Sequence, residues 1–233
     1  MGFQILKKEW IHPVKAVLSD MDGVLLDTEC LYLRFGLEAA QELGWTISTD
    51  QCLALRSLNI KLGQQYLDQC LGAGYDYSVM SQLRSNKMSE WISREGVRPK
   101  RGVFKLLEFL NKEKIPCVIT TSSPIECVQS YLAPLELYDK FQGFCSGNQV
   151  QNGKPAPDIY LYGASMLECD PRMCLALEDS PAGITSAFQA GCLPVMIPDL
   201  DQPNQKTLDQ CFAIADSLSD VISILDVLNA SKQ

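Results

Sequence analysis

Asp20 and Asp22 flank Met21 directly after the short apolar run Lys15–Ser19, and Gly23 follows. In extended chain, residues i and i+2 point to one side, so both carboxylates can face one cavity. Gly23 then lets the backbone turn sharply away. Two carboxylates ~4 Å apart repel by ~4 kcal/mol at a surface-like dielectric, so a cation or a proton must intervene where they converge. Taken alone, such a pair also reads as two solvated loop acids. A second acidic pair, Glu178 and Asp179, ends the run Cys174–Leu177 and precedes Ser180, Pro181 and Gly183. At the same sheet edge it would complete a cluster of carboxylates, whose oxygen ligands, with room for water and phosphate, favour Mg²⁺. A helix N-cap is the competing reading of Asp179. Thr121-Ser122-Ser123-Pro124 follows the run Cys117–Thr120. Hydroxyls and free amides at a helix start make an anion site, or an ordinary cap with Pro at the first position. Lys154 lies in Asn152-Gly153-Lys154-Pro155-Ala156-Pro157-Asp158. A loop fixed by prolines can hold its ammonium against a phosphate oxygen or a nucleophilic carboxylate; the alternative is a surface lysine in a turn. Each signal is moderate alone, but with the four segments in this order all four competing readings would have to hold together.

The elements that must position these groups are legible as alternating patterns. Short apolar runs at Lys15–Ser19, Cys117–Thr120, Phe144–Ser146, Cys174–Leu177 and Cys192–Ile197 suit buried strands of a parallel sheet. Between and after them, Val103–Lys112, Pro124–Leu132, Pro157–Leu167, Ala182–Ala190 and Ser217–Ala230 have helical patterns. The spacing predicts an α/β fold, a Rossmann-like parallel sheet covered on both faces, with functional groups at the carboxyl ends of its strands. From about Glu29 to Val97 only helical patterns occur, broken at Gly44, Gly72–Gly74 and Gly96. The expected organisation is therefore a core of residues 1–28 and 98–233 with a helical cap, residues 29–97, inserted over the strand ends.

Composition narrows the partners. The 233 residues carry 28 acidic and 20 basic side chains, a net charge of −8, with 46% hydrophobic residues. That balance should repel nucleic acid and anionic membrane and favours a small soluble partner. No apolar stretch of about 18 residues appears, and the opening MGFQILKKEWIHP has charges and a proline where a signal peptide needs an unbroken apolar core. The ten cysteines are scattered without a C-x-x-C pair, as in the reduced core of a cytoplasmic protein. His12, the only histidine, precedes the first core strand, which argues against a Ser-His-Asp triad.

The segments Asp20–Glu29, Thr121–Ser123, Gly153–Asp158 and Glu178–Gly183 together resemble the haloacid-dehalogenase-like superfamily, in its β-phosphoglucomutase and phosphatase branch with a helical cap. The resemblance covers the chain from about Lys15. It implies that Asp20 attacks phosphorus and becomes an aspartyl phosphate, while Asp22 protonates the departing alcohol and then activates the acceptor. Mg²⁺ would be held by Asp20, the Asp22 backbone carbonyl, Asp179 and Glu178. Thr121, Ser122 and Lys154 would hold phosphoryl oxygens, and Asp27 and Thr28 would stabilise the hinge of the cap. Because Asp22 supplies an acid that halide departure does not need, dehalogenation is not expected. In mutases of this branch a cap histidine assists proton movement; the matching position here is Tyr32. Basic cap residues hold the far phosphate in those mutases, and Arg56, Arg84 and Lys87 are the candidates for holding substrate. The expectation is a phosphatase acting on a small phosphorylated metabolite, as a monomer or weak oligomer. The alternatives are a β-phosphoglucomutase-like sugar phosphomutase and a regulatory module that binds phosphate without turnover.

Overall fold

The computed structural model describes residues 2–7, 9, 13–56, 58 and 60–230; His12 lies outside them. The strands among these residues are β1 (Phe3–Ile5), β2 (Ala16–Ser19), β3 (Cys117–Thr121), β4 (Gly143–Ser146), β5 (Cys174–Glu178), β6 (Leu193–Met196) and β7 (Ala213–Ala215), in one sheet of order β1-β7-β6-β5-β2-β3-β4. Every pairing from β4 across to β7 is parallel, whereas β1 pairs β7 antiparallel. The parallel sheet expected from the apolar runs therefore carries one antiparallel edge strand.

Strands β2, β3, β5 and β6 are buried along their length because helices cover both faces of the sheet, and polar residues enter only towards their carboxyl ends. Helices α5 (Val103–Glu113), α6 (Ile125–Leu132) and α10 (Leu218–Ala230) bury Leu106, Leu107, Leu110, Val128, Leu132, Ile224 and Leu225 against one face. On the other, α7 (Asp158–Met166) and α8 (Pro181–Gln189) bury Ile159, Tyr160, Ala164 and Ala187 with Leu18 and Ala176. A short helix α9 (Gln205–Gln210) lies between β6 and β7. All ten cysteines are free thiols, and six of them are buried. No helix among the described residues is long and apolar enough to cross a membrane.

Between β2 and α5 the chain forms α1 (Glu29–Glu42), α2 (Thr49–Ala54), α3 (Ile60–Leu71) and α4 (Tyr77–Glu95). These make the inserted helical cap, with a small core of its own around Ala39, Ala40, Leu55, Leu67, Tyr77 and Met80. Helix α2 starts in a reciprocal Ser48–Gln51 capping box and α4 on the Asp76 side chain. The two crossings to the sheet are pinned side by side: Leu26 bridges Pro99, Asp27 N–H donates to the Arg98 carbonyl, and Lys100 N–H to that of Leu25.

Strand β2 lies between β3 and β5, with Ser19 level with Ile119 on one side and Leu177 on the other. The residues that leave these three strands, Asp20, Thr120–Thr121 and Glu178, consequently emerge at one edge. The turn after β2 closes through Leu25 and Leu26 N–H groups on the Met21 carbonyl, and Gly23 adopts φ 75°. A Cβ at Gly23 would sit 2.2 Å from Asp179 Oδ2. Gly23→Ala is therefore expected to destabilise the protein by about 1–3 kcal/mol through backbone strain and displacement of Asp179, read as a lower urea midpoint with unchanged m-value.

Candidate active site

Asp20 is the first residue beyond β2, held by its N–H on the Leu177 carbonyl, and it is 7% exposed. Glu178, the last residue of β5, is fully buried, and Asp179 next to it is 3% exposed. These three each offer a carboxylate oxygen within 4.8 Å of the others. Two glycines make the crowding possible. Gly23 abuts Asp179, and Gly183 in the first turn of α8 abuts Glu178, leaving no room for a Cβ at either.

One cation is built into the cluster. Lys154 Nζ lies 2.8 Å from Asp20 Oδ1 and 2.6 Å from Glu178 Oε1, and the lysine is 2% exposed. Tyr160 on α7 donates its hydroxyl to the same Glu178 oxygen. Removing one member of a buried ion pair generally costs about 3–5 kcal/mol, because the partner is left uncompensated. Even so, one ammonium does not balance three acids. Burial pushes the Asp20 carboxyl well above its usual range against the pull of Lys154, and Glu178 and Asp22 push the same way. Burial also raises Asp179, with Glu29, Asp20 and Glu178 adding to it. An oxygen-only donor set short of positive charge fits a hard divalent cation.

Asp22 is held apart from this cluster. Its Oδ1 accepts from Thr28 Oγ1 at 2.8 Å, and its Oδ2 accepts from Ser123 Oγ at 2.7 Å and Thr121 Oγ1 at 3.1 Å. Thr121 Oγ1 in turn accepts from the Ser123 N–H. Thr28 precedes α1 without capping it, since its hydroxyl is committed to Asp22. Three of the competing readings do not describe this structure: Ser180, not Asp179, caps α8; α6 has Pro124 as its N-cap residue and no side-chain cap; and Lys154 is buried.

The cap candidates separate. Lys87 pairs with Glu42 at 2.7 Å, and its charged neighbours are Glu38, Glu42 and Glu90, so nothing brings it to the acids. Arg56 is buried and engaged: Nη1 binds Glu29 Oε2, Nη2 lies 2.8 Å from Asp201 Oδ2, and Nε donates to the Leu53 carbonyl. Arg84 is 5% exposed and stacks 3.8 Å over the Tyr32 ring. Its Nη2 donates to Ser81, while Nε and Nη1 find no hydrogen-bond partner among the described residues. Ser122 is exposed at the rim.

Three participants were not assigned from the sequence: Ser123, Tyr160 and Glu29. Ser123 stood in the quoted Thr-Ser-Ser segment, and its hydroxyl was the available signal. Tyr160 reads as an ordinary core position of α7. Glu29 follows Asp27-Thr28, and burial, against the pull of Arg56, pushes its carboxyl up to about 7.

A family model described as haloacid dehalogenase-like hydrolase matches residues 17–197. The chain is 31% identical over 178 residues to a phosphorylated carbohydrates phosphatase of Thermotoga maritima, covering 76% of this chain and 82% of that protein. It is 32% identical over 215 residues to a probable pseudouridine-5'-phosphatase of Drosophila melanogaster, covering 89% of each. The fold is similar to that of β-phosphoglucomutase from Clostridium difficile, with TM-score 0.78 and 22% identity over 93% of this chain and 98% of that one.

The raised acids set an expected pH trend. Asp20, Asp179 and Glu29 bind protons more readily folded than unfolded. Their contribution is therefore present at low pH and lost as pH rises through the folded values. Metal-free protein should melt at higher temperature at pH 6 than at pH 8. A divalent cation held by the same oxygens would compete with those protons, so stabilisation by added Mg²⁺ should be larger at pH 8. Calorimetry in chelator and in Mg²⁺ checks both; a trend of opposite sign would show that the acids are not crowded in solution.

Proposed function

Because the chain belongs to the haloacid dehalogenase-like hydrolases, we propose that it is a Mg²⁺-dependent phosphatase of small phosphorylated carbohydrates working through an aspartyl phosphate on Asp20. The observation that supports this most is the division of labour between two carboxylates two residues apart. Asp20 lies against Lys154 in the buried acid cluster, and Asp22 is held by three hydroxyls just outside it. In this reading residues 29–97 are the cap and residues 1–28 with 98–233 the core.

An oxygen of Asp20 attacks phosphorus, and the bond from phosphorus to the ester oxygen breaks. That oxygen leaves with the bonding pair and takes a proton from Asp22. Asp22, now a carboxylate, removes a proton from water as the water oxygen attacks the phosphoryl group. Asp20 is released and inorganic phosphate forms. Lys154 neutralises a phosphoryl oxygen, and Thr121 and the Ser122 amide take the others. Asp20, Asp179, Glu178 and the Asp22 carbonyl would hold Mg²⁺, which neutralises phosphoryl charge when bound. Arg84, whose Nε and Nη1 find no hydrogen-bond partner among the described residues, is the cap group we assign to the alcohol part of the substrate.

Hydrolysis is favoured over mutase transfer by Tyr32. Burial pushes its phenol well above the ordinary value, so it stays protonated at neutral pH and cannot serve as the base that a cap histidine supplies. The relatives named for phosphatase activity on phosphorylated carbohydrates and on pseudouridine 5'-phosphate define the first substrates to test. With Mg²⁺, phosphate release should be fastest from a sugar or polyol phosphate, and Asp20→Asn should lower kcat by roughly 10³-fold or more. No release from sugar phosphates, polyol phosphates or nucleotides, or an unaffected Asp20→Asn variant, would refute the proposal.

A further inference from the structure

Glu29 is a fifth carboxylate at the acidic centre, and Lys154 does not reach it. Its Cγ would lie 2.9 Å from a Cβ on Gly23, whose other neighbour is the Asp179 carboxylate at 2.2 Å. Glu29 and Asp179 thus meet across the bare Cα of Gly23. The charge opposite Glu29 comes from the cap, through Arg56 just beyond α2. The same guanidinium reaches Asp201 in the segment after β6, the one ion pair that joins the cap to the core among the described residues. Nε donates to the Leu53 carbonyl and Nη1 to Glu29, while Nη2, 2.8 Å from Asp201 Oδ2, makes an ion contact without hydrogen-bond geometry. The side chains of Arg56 and Glu29 are 3% and 8% exposed.

We infer that Arg56 is a positioning residue that makes the charge of the acidic centre depend on cap closure, by covering Glu29, and that it does not hold substrate. When the cap is seated, Arg56 cancels the carboxylate that faces Asp179 across Gly23 while anchoring to Asp201. When Arg56 is withdrawn with the cap, Glu29 loses its burial along with its cation and stands as a solvated charge facing Asp179, where it repels an approaching phosphate dianion. The catalytic consequence rests on the phosphatase reading; the structural one does not.

The test is a double-mutant cycle on Arg56 and Glu29, with p-nitrophenyl phosphate as the turnover probe. Arg56→Met should lower kcat/KM by roughly 10- to 100-fold, with a higher KM as well as a lower kcat. Adding Glu29→Gln to that variant removes the uncovered charge and should restore roughly tenfold of the loss. Arg56→Lys, which keeps the charge, should be milder than Arg56→Met. Amide hydrogen exchange of metal-free protein reads the same coupling without turnover. Exchange across residues 23–31 and 198–202 should rise in Arg56→Met and, over residues 23–31, fall back in the double variant. If Glu29→Gln brings no recovery in either measurement, Arg56 is a substrate ligand or a scaffold residue and the inference is overturned. Should Arg56→Met fail to fold, the same comparison is made between Arg56→Lys and Arg56→Lys/Glu29→Gln. If no variant and no wild-type protein turns over, while exchange shows the recovery, the phosphatase reading fails and the coupling stands.

Discussion

Like-charge repulsion at the carboxyl end of the sheet is the constraint to which the rest of the molecule is fitted. Asp20, Glu178 and Asp179 are brought within 4.8 Å of one another by two adjacent parallel strands, β2 and β5, and burial denies them the solvent that would screen them. The fold supplies one ammonium, Lys154, and places it between two of the three. Burial, together with the deficit of positive charge that remains, lifts Asp20 and Asp179 above their usual range. A site left this way suits a divalent cation, which in the proposed reading takes the place of protons and leaves an Asp20 oxygen free as the nucleophile.

The same constraint explains details that would otherwise be unrelated. Glycine is required at positions 23 and 183 because carboxylates fill the space a side chain would use. Asp22 is drawn out of the cluster by Thr28, Thr121 and Ser123, so its charge adds less to the repulsion on Asp20 than that of Glu178. Thr28 also stands at the root of α1, so the residue that orients Asp22 is one through which the cap joins the core. On the far side of the turn, Arg56 and Lys100 pair with Asp201 and Asp199, so the segment after β6 gathers the positive charge arriving from the cap and its crossing.

Much of this was legible before any coordinates. Asp20 and Glu178 each directly follow an apolar run, and parallel pairing forces the ends of such runs to one edge; the motif order did the rest. The helical cap was visible as an unbroken stretch of helical periodicity. Strands β1 and β7 escaped because three residues are too few to show alternation, and α9 because a single polar turn has no stripe. The direction in which Asp22 turns was also beyond reach, since rotation after a tight turn leaves no periodic trace. Arg56 and Glu29 are 27 residues apart on different cap segments, and nothing in their spacing marks them as partners. Among the basic cap residues, composition could not separate Lys87, which faces Glu42, from Arg84, which is buried with unspent donors.

The account stands or falls on whether the three acids converge around a cation in solution. Isothermal titration of Mg²⁺ into metal-free protein at neutral pH, beside the Asp179→Asn variant, measures this directly. Convergence predicts a single saturable site whose affinity falls roughly tenfold or more in the variant. Absence of binding, or equal affinity in both proteins, would contradict it.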